Sequence, residues 1–310
     1  MEDDSFTRRN LLKTGVTAAT GGLVATTAGC LGGAPGVSLL GGDGRYTDWL
    51  VAPDKLGDSD HYSFYHLRPA AFADHEDQLG SDNYDQLEML FSGPAERWTG
   101  VDFDEVTDLV SFGPASVYTT EVPEADVVED LEDEDFDDES DLEGYTVYVS
   151  SDESVAVGVN GETLVWGRES YQGSDAVDVV ERVIEAKAGE EDRYADENEH
   201  FTALVDRLGD GDLVYGRTRE ESDADDPANG EFRDLVARGT TVSLDGETAD
   251  MRWALVFEDE NDIDVDDVKE YVDENDGSDG TFDDLDDVSV SSSGRSAIVT
   301  GSKDADDLLS

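Results

Sequence analysis

The sequence predicts a two-lobed α+β protein with largely antiparallel sheets and amphipathic helices packed on them. Three observations predict this. First, alternating apolar runs are joined by short polar turns. Val155-Ala156-Val157-Gly158-Val159 leads through Asn160-Gly161 into 163–166, and Asp245-Gly246 separates 232–244 from 249–257. Asn-Gly or Asp-Gly between apolar runs is a strong hairpin signal, because both central residues of a type I′ turn need positive φ. Second, Phe201, Leu204, Val205 and Leu208 recur at the spacing of one helix face. Third, the order strand, helix, acidic stretch, hairpin occurs over 117–159 and again over 251–299. The turns Asn160-Gly161-Glu162-Thr163 and Asp245-Gly246-Glu247-Thr248 repeat too, but at another offset, so the two repeats are not one tandem duplication. The divisions that follow are a leader over 1–29, a Gly-rich segment over 30–45, lobes over 46–219 and 232–310, and an acidic loop over 220–231.

The leader opens with Thr7-Arg8-Arg9-Asn10-Leu11-Leu12-Lys13, continues uncharged from Thr14 to Ala28, and closes on Thr27-Ala28-Gly29-Cys30. A charged start, a short apolar middle and a small-residue end is the layout of a secretory signal peptide. The middle holds five Thr and three Gly in fifteen residues, short of the roughly 20 apolar residues of a membrane-spanning helix. Arg8, Arg9, Leu11, Leu12 and Lys13 resemble the twin-arginine (Tat) signal, with Leu11 where Phe is usual. Thr27, Ala28, Gly29 and Cys30 resemble a lipobox, with Thr27 where Leu is usual. The resemblance implies export in the folded state by the Tat machinery. It also implies lipidation of Cys30 and anchoring to the outer face of the cytoplasmic membrane. Cys30 is the only cysteine in 310 residues, so neither an intramolecular disulfide nor a thiol metal cluster can form. The lipid that the resemblance implies is a diacylglyceryl group, whose two chains, at about 0.8 kcal/mol per buried CH₂, would make a stable anchor. Residues 31–44, with six Gly and one Pro, read as a flexible tether spanning roughly 20 Å.

After the leader, 76 acids face 17 bases, and the whole chain carries a net charge of −59. On a surface of about 12,000 Å² for a protein of this size, such acids lie about 12 Å apart. The Debye length is about 10 Å at 0.1 M salt and 3 Å at 1 M, so molar salt is needed to screen their repulsion. The composition resembles that of haloarchaeal proteins. Disorder is excluded by the regular apolar periods and 26 aromatic residues. The acidity excludes nucleic acid and anionic membrane surfaces as partners held by charge.

Along the chain, 49–52 and 61–67 read as strands. A helix begins at Pro69, where the missing N–H is harmless, and runs to Leu79; 84–91 reads as a second helix and 108–112 as a strand. A strand over 117–122 precedes a helix opened by Pro123-Glu124 and carrying Val127, Val128 and Leu131. Residues 130–141 read as an acidic connector, and 145–149 as a strand before the first hairpin. Val177, Val180, Val183 and Ile184 mark a helix, as do 201–208, closed by Gly209. Residues 213–215 read as a strand. Val265, Val268 and Val272 mark a last helix before strands at 288–290 and 297–299.

No catalytic constellation stands out. The chain has neither a Gly-x-Ser-x-Gly elbow nor a Ser-x-x-Lys, and no phosphate-cradling Gly-rich loop follows a strand. Of the histidines, His61 and His66 lie five apart on one strand and so face opposite sides. His75 and His200 complete no His-x₃-His, so no metal site is expected. Asn275–Asp286 approaches an EF-hand loop with Asp279 and Gly280 at positions 5 and 6, but Gly277 cannot coordinate at position 3 and Asp286 replaces the bidentate Glu. A solvated acidic loop is the better reading. Trp49, Trp98, Trp166 and Trp253 are expected in core or edge packing rather than a ligand cleft.

The layout resembles haloarchaeal Tat lipoproteins, a resemblance that brings no activity with it. It implies a lipid-anchored extracytoplasmic domain with a non-enzymatic binding or structural role, without cofactor, its contacts being the Tat machinery and membrane lipid through Cys30. The alternatives are a ligand-binding lipoprotein of a transport system and an exported hydrolase.

Overall fold

The computed structural model describes residues 45–57, 59–91, 94–169, 173–276 and 282–308. Its strands are β1 (Ser63–Leu67), β2 (Val106–Phe112), β3 (Ala115–Thr120), β4 (Phe136–Leu142), β5 (Tyr145–Ser150) and β6 (Val155–Asn160). The rest are β7 (Thr163–Arg168), β8 (Leu213–Thr218), β9 (Leu235–Asp245), β10 (Thr248–Phe257), β11 (Asp286–Ser293) and β12 (Ser296–Asp304). The helices are α1 (Pro53–Leu56), α2 (Pro69–Ala73), α3 (Glu76–Leu79), α4 (Ser81–Phe91) and α5 (Pro94–Thr99). After them come α6 (Glu124–Asp133), α7 (Ala176–Ala188), α8 (Tyr194–Glu197), α9 (Glu199–Leu208) and α10 (Val265–Glu274).

All twelve strands join one antiparallel sheet in the order β11-β12-β10-β9-β8-β1-β2-β3-β7-β6-β5-β4. The architecture is therefore α+β and antiparallel. At its centre β1 pairs with β8, Tyr65 opposite Tyr215, so the sheet runs unbroken from one half to the other. About an axis normal to the sheet at this pair, the topology repeats. The path β1-β2-β3, α6, and a return that lays β7 beside β3 matches β8-β9-β10, α10, and a return that lays β12 beside β10. The β4–β5 hairpin is extra in the first half. This is the 117/251 register. The Asn160 and Asp245 turns are not equivalent, since the counterpart of the β9–β10 turn is the β2–β3 turn at Gly113.

Both faces of the sheet are covered, which is why central strands such as β3 are buried at every position. On one face Phe72, Leu79, Leu87, Val127, Leu131, Val268 and Val272 pack over Leu109, Tyr118, Trp166 and Trp253. On the other, α7 and α9 press Val180, Val183, Ile184, Phe201, Leu204 and Leu208 onto Phe64, Val110, Val165 and Val214. Both helices sit on glycines. α9 lies over Gly216 and Gly239, cross-strand neighbours in β8 and β9. α7 lies over Gly158 and Gly167 of β6 and β7. Acids serve as caps: Asp175 accepts the Asp178 N–H at 2.8 Å to start α7, and Asp264 accepts the Asp266 N–H at 2.9 Å to start α10.

Four expectations need correction. Residues 49–52 are not a strand: Tyr46–Trp49 forms a 3₁₀ turn, and only Val51 bridges, to Arg193. The run is apolar because it is buried beside α7, and burial alone does not fix the period. The helix from Pro69 breaks at Asp74-His75 into α2 and α3. Residues 130–141 are no connector: α6 continues to Asp133, and β4 is the acidic edge strand of the sheet, where charge blocks further pairing. In both glycine hairpins the turn falls one residue later than expected. Asn160 pairs with Thr163 and Asp245 with Thr248, leaving Gly161-Glu162 and Gly246-Glu247 in the turns. Only the glycines have positive φ, at 57° and 64°, the pattern of type II′.

Candidate functional site

The leader residues Arg8, Arg9, Leu11, Leu12, Lys13, Thr27, Ala28, Gly29 and Cys30 lie outside the described residues. Within them, a buried histidine–carboxylate pair lies at the centre of the sheet. β1 points Phe64 and His66 toward α7 and α9, and Tyr65 and Leu67 to the opposite face. His66 Nε2 lies 2.9 Å from Asp108 Oδ1 on the neighbouring β2, with side chains only 3% and 4% exposed. Arg68 Nε approaches the same carboxylate oxygen at 3.7 Å, and its Nη1 is 3.9 Å from Asp212 Oδ1. Asp212 is itself held, accepting the Leu244 N–H at 2.8 Å. The Tyr46 ring lies flat on His66, 4.9 Å between centroids and 11° between planes. Burial, then the charge of Asp210, pushes the Tyr46 phenol well above the usual tyrosine range.

A histidine oriented by a carboxylate is a general-base arrangement when its second nitrogen reaches substrate. Here the second nitrogen, Nδ1, is sealed from solvent and has no partner, as is the Tyr46 hydroxyl. No substrate can meet that nitrogen while Tyr46 covers the ring. The pair ties β1 to β2 and, through Arg68 and Asp212, to the start of β8.

A groove of about 400 Å³ opens beyond the C-terminal end of α9, its walls including Asp210, Ser243, Asp250, Arg252, Asp287 and Ser302. Arg252 Nη1 donates to the Arg207 carbonyl at 3.4 Å, so its charge faces the negative end of α9. Hydroxyls, carboxylates and one guanidinium can hold a small polar solute, but the buried His66–Asp108 pair is not part of the lining.

The other histidines occupy separate environments. His75 Nδ1 bonds the Ala71 carbonyl at 2.8 Å; His200 takes a hydrogen bond from Arg295 at 3.1 Å and faces Glu258 at 3.2 Å; His61 precedes β1 beside Ser59. In the EF-hand-like stretch, 277–281 lie outside the described residues, and Asn275 Nδ2 bonds the Ala228 carbonyl at 3.0 Å. Among the described residues, Asp304, Asp306 and Asp307 bring carboxylate oxygens within 4.8 Å of one another. Asp304 and Asp306 are exposed, as are acids over much of the surface. The tryptophans pack. Trp98 stacks on Trp166 at 6.2 Å with the Arg97 guanidinium 4.9 Å above it, Trp253 meets Phe282 edge-on at 6.0 Å, and Trp49 lies under Lys187 at 5.1 Å. Asp108 was the missed signal: a single carboxylate inside Val106-Thr107-Asp108-Leu109-Val110, where every second residue must be buried.

No family model matches the chain, and no curated protein aligns with it. Solved structures of TP0453 align with the chain over most of their length. Crystal form I aligns at 11% identity and a TM-score of 0.46, over 84% of this chain and 96% of that one. Form III gives 10% and 0.46 over 82% and 94%, and form IV 10% and 0.45 over 85% and 97%.

Proposed function

We propose that this chain is an exported, lipid-anchored domain of a halophile's envelope, with a non-enzymatic binding or structural role. The observation that carries it is Cys30, the only thiol in the chain, standing at the end of a leader that opens with Arg8-Arg9. Tat export delivers the domain folded, and a diacylglyceryl group on Cys30 holds it to the outer face of the cytoplasmic membrane. The surface supports the salty setting. Lys55, Arg68, Lys187, Arg193, Arg219, Arg233, Lys269 and Arg295 are each already paired with a carboxylate. With 79 acids to 20 bases in the chain, most acids have only solution cations to screen them. The closed His66–Asp108 pair supports a role without chemistry at that centre, and the Arg252 groove gives a binding role a place.

The test is Cys30→Ala in the native host, with fractionation of cells and medium. Release of the protein into the medium is expected, while Arg8→Lys with Arg9→Lys keeps it inside the cell. A Cys30→Ala protein that stays with the membrane overturns the proposal.

A further inference from the structure

Two of the chain's few bases stand side by side at the centre of the sheet. On the face opposite α7 and α9, Ser63 of β1, Arg217 of β8 and Arg238 of β9 lie directly across from one another on three neighbouring strands. Two residues along the strands, roughly 7 Å away, the next row is Ser111, Tyr65 and Tyr215. All six keep some exposure, whereas Tyr118 of β3 on one side and Trp253 and Leu255 of β10 on the other are buried. The helices on this face therefore leave a polar window between them.

Like charges directly opposite on neighbouring strands destabilise a sheet. Burial, and then the charge of Arg217, pulls the Arg238 guanidinium below its ordinary range. The other groups acting on Arg238 are Tyr271, Tyr215 and Arg219, none of them a carboxylate. Arg219 has an acid of its own, Glu231 at 3.7 Å. Among the described residues, neither Arg217 nor Arg238 makes an ion pair or donates a side-chain hydrogen bond. In a chain with 79 acids to 20 bases, two half-buried cations left together without an acid are matched to an anion from outside.

We propose that this window holds a tetrahedral oxyanion, a phosphate or sulfate group, between the Arg217 and Arg238 guanidiniums. One guanidinium fork engages both oxygens of a carboxylate, so two forks converge on a group with more oxygens and a double charge, as phosphate carries. The Tyr215 hydroxyl donates to Ser63 Oγ at 3.4 Å, which leaves the Ser63 O–H to reach a remaining oxygen. In molar salt the Debye length of about 3 Å confines attraction to groups in contact. The fork geometry, which chloride cannot use, then decides what is held. A free ion and the head group of a small molecule share this chemistry. The inference rests on the sheet's own side chains and is independent of Cys30.

Equilibrium dialysis of the intact chain against radiolabelled inorganic phosphate in molar potassium chloride tests it. Saturable binding of one equivalent per chain is expected, displaced by sulfate and not by acetate. Arg217→Gln and Arg238→Gln should each weaken it about tenfold or more, through loss of a charge-assisted pair. Arg217→Lys, which keeps the charge but loses the fork, should weaken it too. Arg233→Gln, at an exposed arginine already paired with Asp225, should not. Without phosphate, Arg238→Gln should melt no lower than the wild type, because it removes one of two opposed like charges. Phenyl phosphate competing more tightly than inorganic phosphate identifies the group as part of a small molecule, and the reverse order identifies the free ion. No saturable binding, binding that survives both glutamine substitutions, equal displacement by acetate, or an Arg238→Gln protein that melts below the wild type in phosphate-free salt would each overturn the proposal.

Discussion

Replacing Gly239 by alanine tests how α9 is seated on the sheet. A Cβ there would collide with the Tyr215 carbonyl oxygen and come within 2.7 Å of Leu208 Cδ1 and 3.1 Å of Gly216 Cα. Two of those three neighbours are main chain in the middle of β8, which cannot give way without breaking the β8–β9 ladder. At Gly158 under α7, by contrast, the nearest atoms are the side-chain ends Ile184 Cδ1 at 3.0 Å and Val180 Cγ1 at 3.1 Å. These can move by tenths of an ångström, and alanine removes some of glycine's entropic penalty in a strand. Overpacking a close-packed core costs about 1–3 kcal/mol. Gly239→Ala belongs at the top of that range and Gly158→Ala below about 1 kcal/mol. A midpoint shift of about 2–4 °C per kcal/mol applies to chains of 150–250 residues, so Gly239→Ala should lower the melting temperature by roughly 4–12 °C. Thermal melts followed by circular dichroism in molar salt decide it. A Gly239→Ala protein as stable as wild type, or a Gly158→Ala protein destabilised more, refutes the seating of the helices on these glycines.

Further expectations concern the charges. Asp108→Ala leaves the buried His66 Nε2 without its hydrogen-bond partner; a buried polar group left unsatisfied costs about 1–3 kcal/mol, read as a drop in urea midpoint at constant m-value. Burial raises the Tyr194 phenol from its ordinary 10 to about 12, the Thr218 hydrogen bond pulling the other way. The folded state therefore keeps a proton that the unfolded chain loses, so this stabilisation is whole below pH 10 and gone by about pH 12. It amounts to roughly 2–3 kcal/mol, and Tyr194→Phe should flatten the alkaline limb of the stability–pH curve. Lowering salt from molar to 0.1 M should unfold the domain by circular dichroism; a native spectrum in dilute buffer would end the halophile reading.

Elements whose side chains divide between a buried and a solvated face were legible in the sequence. Phe201, Leu204, Val205 and Leu208 on α9 and Val268 and Val272 on α10 report a period directly, whereas β6 is buried on both faces and was legible because valine alternates with Ala156 and Gly158, on the face where α7 comes close. β4 was not, because on an edge strand both faces of its middle residues meet water and the pattern fades to acids between Phe136 and Leu142. The run 49–52 was misread for the opposite reason, burial without a period. The turn register escaped because Asn-Gly names the turn but not which two residues close it. The sheet-centre pair was invisible for a geometric reason: His66 and Asp108 are 42 residues apart and meet only because β1 and β2 pair around the intervening α2–α5. The Arg252 groove draws on α9, β9, β10 and β12 at once, and no local pattern announces such a surface.

The central claim is the lipid on Cys30. Mass spectrometry of the protein extracted from membranes of its own cells tests it most directly, through the N-terminal proteolytic peptide. The account predicts that this peptide starts at Cys30 and carries a diacylglyceryl mass on the sulfur. A peptide that starts at Met1, or one in which Cys30 is an unmodified thiol within the chain, would contradict it.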